Sequence, residues 1–125
     1  MTPGLPELDA VLALERELLE DLVFALQSES ALTRFSLRER SLRRAATEVT
    51  TASDRLRSAE LLRSVYTEQA AADVGLHPVP TLVELANHTG EPWRALLLER
   101  RSQLRAAAHE VGRVSTSRFP GDRVV

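Results

Sequence analysis

The residues of this chain best suited to acid–base or metal chemistry are three histidines, His77, His88 and His109. Glu84 and His88 stand four apart, a spacing at which two side chains of one helix can grip a metal ion, but two ligands leave a four-coordinate site half filled. His109-Glu110 lacks the second histidine of a zinc-peptidase helix, and His77 lies in a proline-flanked stretch. Cysteine is absent, which excludes disulfides, thiolate nucleophiles and cysteine-bound metals together. The five glycines form no phosphate-cradling loop, and no serine stands in a nucleophile elbow. These residues predict no enzyme, no cofactor and no metal.

Charge is the next candidate chemistry. Arg34, Arg38, Arg40, Arg43 and Arg44 fall close together against Glu39 alone, a stretch that could touch phosphates. Only Phe35 interleaves it with an aromatic ring, and residues 1–29 just before it hold seven acids against Arg16. The reading is a solvated turn beside an acidic helix, with no nucleic acid as partner. Three further charges, Glu15, Arg63 and Arg100, interrupt otherwise apolar stripes. A hairpin turning near residue 35 brings Glu15 level with about residue 55, which predicts an ion pair with Arg55 or Arg57 that would fix register. Leu14, Phe24 and Leu98 lie off the stripes; gathered on one surface they would mark a docking site.

The elements that position these residues are helices. Leu8, Val11, Leu12, Leu19, Leu22, Val23 and Leu26 recur at helical spacing, after a Pro- and Gly-containing start that puts the first helix from about Glu7 to residue 33. A turn follows at 33–36, where Ser36-Leu37-Arg38-Glu39 has the form of a capping box. Leu42, Ala45, Val49, Ala52, Leu56, Ala59, Tyr66 and Ala70 then alternate in threes and fours, the seam of a coiled coil, until Gly75, Pro78 and Pro80 stop the helix. Thr81-Leu82-Val83-Glu84 caps a short helix ending around His88–Gly90, and Pro92 suits the first position of a last helix carrying Trp93, Leu97, Leu104, Ala108 and Val111 on one side. No stripe can face water alone, so the expected fold is all-α: an elongated antiparallel hairpin, a short helix, and a third long helix returning along the second, coiled-coil-like, as a three-helix bundle over 1–114. Residues 115–125, STSRFPGDRVV, are expected to be a disordered tail.

The length of 125 residues fits one domain, and a net charge of -2 gives no global pull toward nucleic acid or anionic lipid. All sixteen basic residues are arginine and isoleucine is absent, a codon signature of a GC-rich genome. No apolar run approaches the roughly 20 residues that span a bilayer, and the amino terminus lacks a signal-peptide pattern. The expectation is a cytoplasmic protein without membrane insertion.

The segments LERELLEDLVFALQSESAL (14–32), RAATEVTTASDRLRSAELLRSV (44–65) and VGLHPVPTLVELANHTGEPWRALLLERRSQL (74–104) resemble the FlgN family of flagellar export chaperones, in its actinobacterial form. An acidic ERELLE helix, a long helix, a VGL stop, a short TLVELA helix and an EPW-opened last helix occur in the family's order over about residues 11–111. The family's Trp ahead of the ERELL motif is missing, and STSRFPG is expected to shorten the last helix. The resemblance implies a cytoplasmic chaperone that binds the carboxy-terminal helical region of hook-associated (hook–filament junction, FlgK/FlgL-like) proteins and delivers them to the flagellar type III export apparatus. It also implies substrate contact through the last helix, here Leu96, Leu97, Leu104, Ala107, Ala108, Val111 and Val114. Those same side chains suit an ordinary core. The alternative is a helical adaptor or nucleic-acid-associated regulator that uses the arginine-rich turn; a secreted WXG-type hairpin would need a W-x-G near residue 35, which is absent.

Overall fold

The computed structural model describes residues 4–35 and 38–118. Every regular element among them is a helix: α1 (Leu5–Arg34), α2 (Glu39–Asp73), α3 (Leu82–Thr89) and α4 (Trp93–Arg118). The chain folds as an all-α bundle of three long helices and one short one.

Helix α1 opens earlier than expected because Gly4, not Glu7, ends the irregular start. Gly4 is the N-cap with φ +90, a left-handed conformation that strains any residue with a Cβ. A Cβ there would also stand 3.1 Å from the Tyr66 carbonyl oxygen, so the start of α1 rests directly on the backbone of α2. The helix ends at Arg34, with Phe35 as its cap. The cap of α2 falls on Arg38, with no side-chain hydrogen bond. The capping box expected from Ser36 therefore does not start this helix, and Ser36 itself lies outside the described residues.

The alternating seam of α2 does face inward. Ala45, Ala52, Ala59 and Ala70 are buried, with Leu42, Val49, Leu56, Arg63 and Tyr66 half-buried beside them. Gly75 at φ +76 closes the helix, where Leu76 N–H reaches back to the Ala71 carbonyl at 2.9 Å. The second capping box forms as its sequence predicts: Glu84 N–H donates to Thr81 Oγ1 at 3.1 Å, and Thr81 N–H donates to Glu84 Oε1 at 2.9 Å. Pro92 lies one residue before α4, and that helix continues to Arg118, so 115–118 are helical and not tail. The remainder of the expected tail, 119–125, lies outside the described residues.

The sequence reading sent the last helix back along α2. In the structure α4 packs on α1 instead, parallel to it, and α3 packs on α4. Arg100 of α4 meets Asp9 near the start of α1, while Val111 and Val114 lie over Leu22 and Leu26 farther along. The reason is the width and make-up of the apolar faces. The buried positions of α1 span an arc of about 160° at 100° per residue, most of them leucine, enough for two neighbours, whereas those of α2 span about 120° and are five alanines and Thr67, which give a second long helix little to pack on.

Two core clusters result. The larger, around Leu5, Leu8, Leu12, Leu19, Leu85, Leu97 and Leu104, fills the end of the bundle where α3 sits. The smaller, Leu22, Leu26, Ala52 and Val114, lies toward the hairpin turn.

Of the three charges that interrupt the stripes, two find each other. Glu15, 3% exposed, takes Arg63 as its partner at 3.2 Å, in place of the expected Arg55 or Arg57. The clustering of Leu22 and Leu26 with Val49 and Ala52 puts the pivot of the hairpin nearer residue 37 than 35, which brings the Glu15 backbone level with about Ala59. Both side chains lean toward the amino terminus of their own helix, so in an antiparallel pair Arg63, one turn farther on, reaches back to meet Glu15. The contact is an ion pair without hydrogen-bond alignment. Burial pushes the Glu15 carboxyl above its ordinary range, opposed by Arg63 and reinforced by Glu60. Arg100 pairs with Asp9 through two bonds, at 2.7 and 3.3 Å, which fixes the register of α4 on α1.

Candidate helix-docking groove

The groups that looked suited to chemistry are occupied locally. Glu84 belongs to the cap of α3 and also meets His77 Nε2 at 3.2 Å. The Thr81 backbone bond, with His77 second, holds its carboxyl below the ordinary range. His88 Nδ1 lies 2.9 Å from the Glu84 carbonyl oxygen, so the i, i+4 pair is not aimed at a common point. Among the described residues no group of three or more potential metal ligands occurs, and no helix is long and apolar enough to cross a membrane.

The seven contact candidates on α4 divide sharply. Leu97, Leu104 and Val114 are buried in the core, and Ala107 and Val111 pack half-buried against it. Leu96, at 41% exposure, and Ala108 face solvent. Burial of the first three leaves a partner only the edges of α4, and one edge lines a groove.

That groove follows the seam between α1 and α4. One segment, about 270 Å³, is lined by Glu20, Val23, Phe24, Gln27, Ala107 and Glu110. The next, about 190 Å³, is lined by Gln27, Ser30, Ala31, Arg34, Arg113 and Val114. Gln27 lines both segments, so the seam is grooved from Glu20 to Arg34, about 21 Å at 1.5 Å per residue. Phe24 forms its rim at 71% exposure, and Phe35 stands out at the end of the same helix at 72%. Phe24 also borders a hollow of about 350 Å³ on the α2 side, with Leu18, Asp21 and Ala52.

Phe24 was visible in the sequence as an off-stripe residue; its companions were not. Leu98 packs against the larger core cluster, and Leu14 lies ten residues before Phe24, so the three form no common patch. A cluster that sequence reasoning passed over, Leu61, Leu62 and Val65, is exposed on the outer side of α2. The signal was available: these residues fall within about 100° of one another, off the seam of their helix. Val79, on the loop before α3, lies with Arg63, Ser64 and Thr67 around a separate hollow of about 390 Å³.

Charge is graded along the outside of α1. Glu17, Glu20 and Asp21 stand exposed below Phe24 against Arg16, which pairs with Glu20 at 3.2 Å. Above it come Gln27, Ser30 and Ala31, then exposed Arg34. On the α4 wall Arg113 and Glu110 neutralise each other, and this contact holds the Glu110 carboxyl below its ordinary range.

No protein-family model, curated protein or solved structure matches this chain.

Proposed function

We propose that this protein is an export chaperone of the cytoplasm that holds an amphipathic helix from the carboxy-terminal region of a flagellar hook-associated protein and presents it to the type III export apparatus. The observation that supports this most directly is the α1–α4 groove: an elongated channel about four helical turns long, apolar beside the unburied Phe24 and polar toward Arg34. The resemblance of the ERELLE, TLVELA and GEPWRALL segments to the FlgN family supplies the kind of partner. Of the α4 residues that the resemblance implicates, half-buried Ala107 lines the groove and is the proposed contact from that helix, while Val114, which borders the groove, is held in the core.

The test is co-purification with the carboxy-terminal region of a hook-associated protein. Ala107→Arg, which fills the groove from an only half-buried position, should abolish the complex, while Leu61→Arg on the far side should leave it intact. A complex that survives Ala107→Arg, or none with the unaltered chain, overturns the proposal. A second reading, a regulator that binds nucleic acid, draws on the exposed arginines 34, 38, 40 and 43 near exposed Phe35. Phosphate binding weakens steeply with salt, whereas helix docking anchored by apolar contact weakens far less.

A further inference from the structure

The groove has two chemically different ends, and a helix also has two ends. Glu20 lines the end of the groove nearer the start of α1, paired with Arg16 and with exposed Glu17 and Asp21 beside it, so that end stays net acidic; Arg34 lines the other end. Between them the α1 wall is Val23, Phe24, Gln27, Ser30 and Ala31, and the α4 wall is Ala107 and Val114 with Glu110 and Arg113, which pair with each other. The charged ends are about 21 Å apart, more than twice the roughly 8 Å screening length at physiological salt, so each acts on its own part of a ligand.

A helix is most stable with acids in its first turn and bases in its last, because its backbone dipole is positive at the amino end. Such a helix matches both ends of the groove in only one direction. Its acidic amino terminus meets Arg34, its basic carboxy terminus meets Glu17 and Glu20, and its dipole then opposes that of α1. The opposite direction sets acid against acid and base against base, an arrangement that costs affinity at an interface.

We infer that the α1–α4 groove selects an amphipathic helix acidic at its amino end and basic at its carboxy end, and binds it antiparallel to α1 with Phe24 as the apolar anchor. This rests on the reading that the groove holds a helix, and it adds the direction and the charge pattern of that helix.

The test uses the whole chain and a designed 18-residue helical peptide with one apolar face, acidic first turns and basic last turns. The protein has no cysteine, so Ala10→Cys, at an exposed site near the start of α1, takes a single spin label. A second label is placed on either end of the peptide. The carboxy-terminal label should lie closer to residue 10 than the amino-terminal one. Glu17→Arg/Glu20→Arg/Arg34→Glu, all at exposed positions, should invert that order. Phe24→Ala should weaken binding about tenfold, the size expected on losing an aromatic anchor, without changing the order. Equal distances from both ends, an order that the charge reversal leaves unchanged, or no peptide binding overturns the inference. A directional peptide complex alongside failed co-purification with hook-associated proteins would sink the chaperone reading and leave this one standing.

Discussion

The two ends of this bundle are built differently. At the α3 end, leucines from three helices interlock, and Leu5, Leu8, Leu12, Leu85 and Leu97 are wholly removed from water. Toward the hairpin turn the core thins to Leu22, Leu26, Ala52 and Val114, while phenylalanines stand outside it. Apolar surface placed inside stabilises the fold; the same surface left outside is available for a partner. The contrast teaches that the α3 end anchors the three long helices and the groove end is where binding can be added without dismantling the fold.

Core truncation should break the symmetry most strongly. Leu97→Ala, in the anchored end, is expected to cost about 2–5 kcal/mol, and Leu26→Ala to fall at the lower limit of that range, since its neighbours are smaller and collapse more readily. Urea unfolding of both variants reads the difference. Equal costs would mean that the ends are not distinct.

Next is the ion pair inside the anchored end. Arg63→Met leaves Glu15 buried without its cation and should cost about 2 kcal/mol, less than the 3–5 of a fully buried pair because the Arg63 side chain keeps 36% of its surface exposed. Glu15→Leu/Arg63→Met should recover that loss in the same unfolding assay. A double variant as unstable as the single one would refute the assignment. The pH dependence has a definite sign. The folded protein holds the Glu15 proton more tightly than the unfolded chain does, so its contribution is fully present below the ordinary carboxylate pKa and is lost as pH rises through the raised folded value. Relative to the native chain, Glu15→Gln should therefore gain stability as pH increases through that window. Glu84 and Glu110, shifted the other way, are common to both proteins and cancel in the difference.

Thr81→Ala removes the hydroxyl of the α3 capping box, for an expected loss of about 1 kcal/mol. Faster amide exchange in α3 than in α1 would confirm that the loss is local. The smallest effect sharpens the comparison from the other side: Phe24→Ala should change stability by less than about 0.5 kcal/mol in thermal or urea unfolding, as an exposed site does. A large loss would make Phe24 part of the fold and not of a docking surface.

How much of this was legible in the sequence differs by residue. Gly75 and the Thr81–Glu84 box marked their boundaries because a cap depends on a few neighbouring residues. The turn near residue 36 had no glycine or proline, and its cap residue was misplaced by two positions, from Ser36 to Arg38. Glu15 was recognised as needing a cation, but its choice of Arg63 depends on where the hairpin pivots and on how side chains lean, neither of which a repeat reveals. The stripe on α4 reads the same whether it meets the core or a partner, so Leu97, Leu104 and Val114 could not be told from Ala107 and Leu96.

The sequence alone determined that the chain is helical, where most helices begin and end, and which residues along each share a face. These follow from hydrogen bonds and periodicities that span one or two turns. Only the tertiary structure decided that α1 lies between its two long neighbours, that α4 runs parallel to it, and that their seam leaves a groove beside Phe24. Those outcomes depend on which apolar faces are wide enough to satisfy two partners at once, a competition among whole helices that no local window of sequence contains.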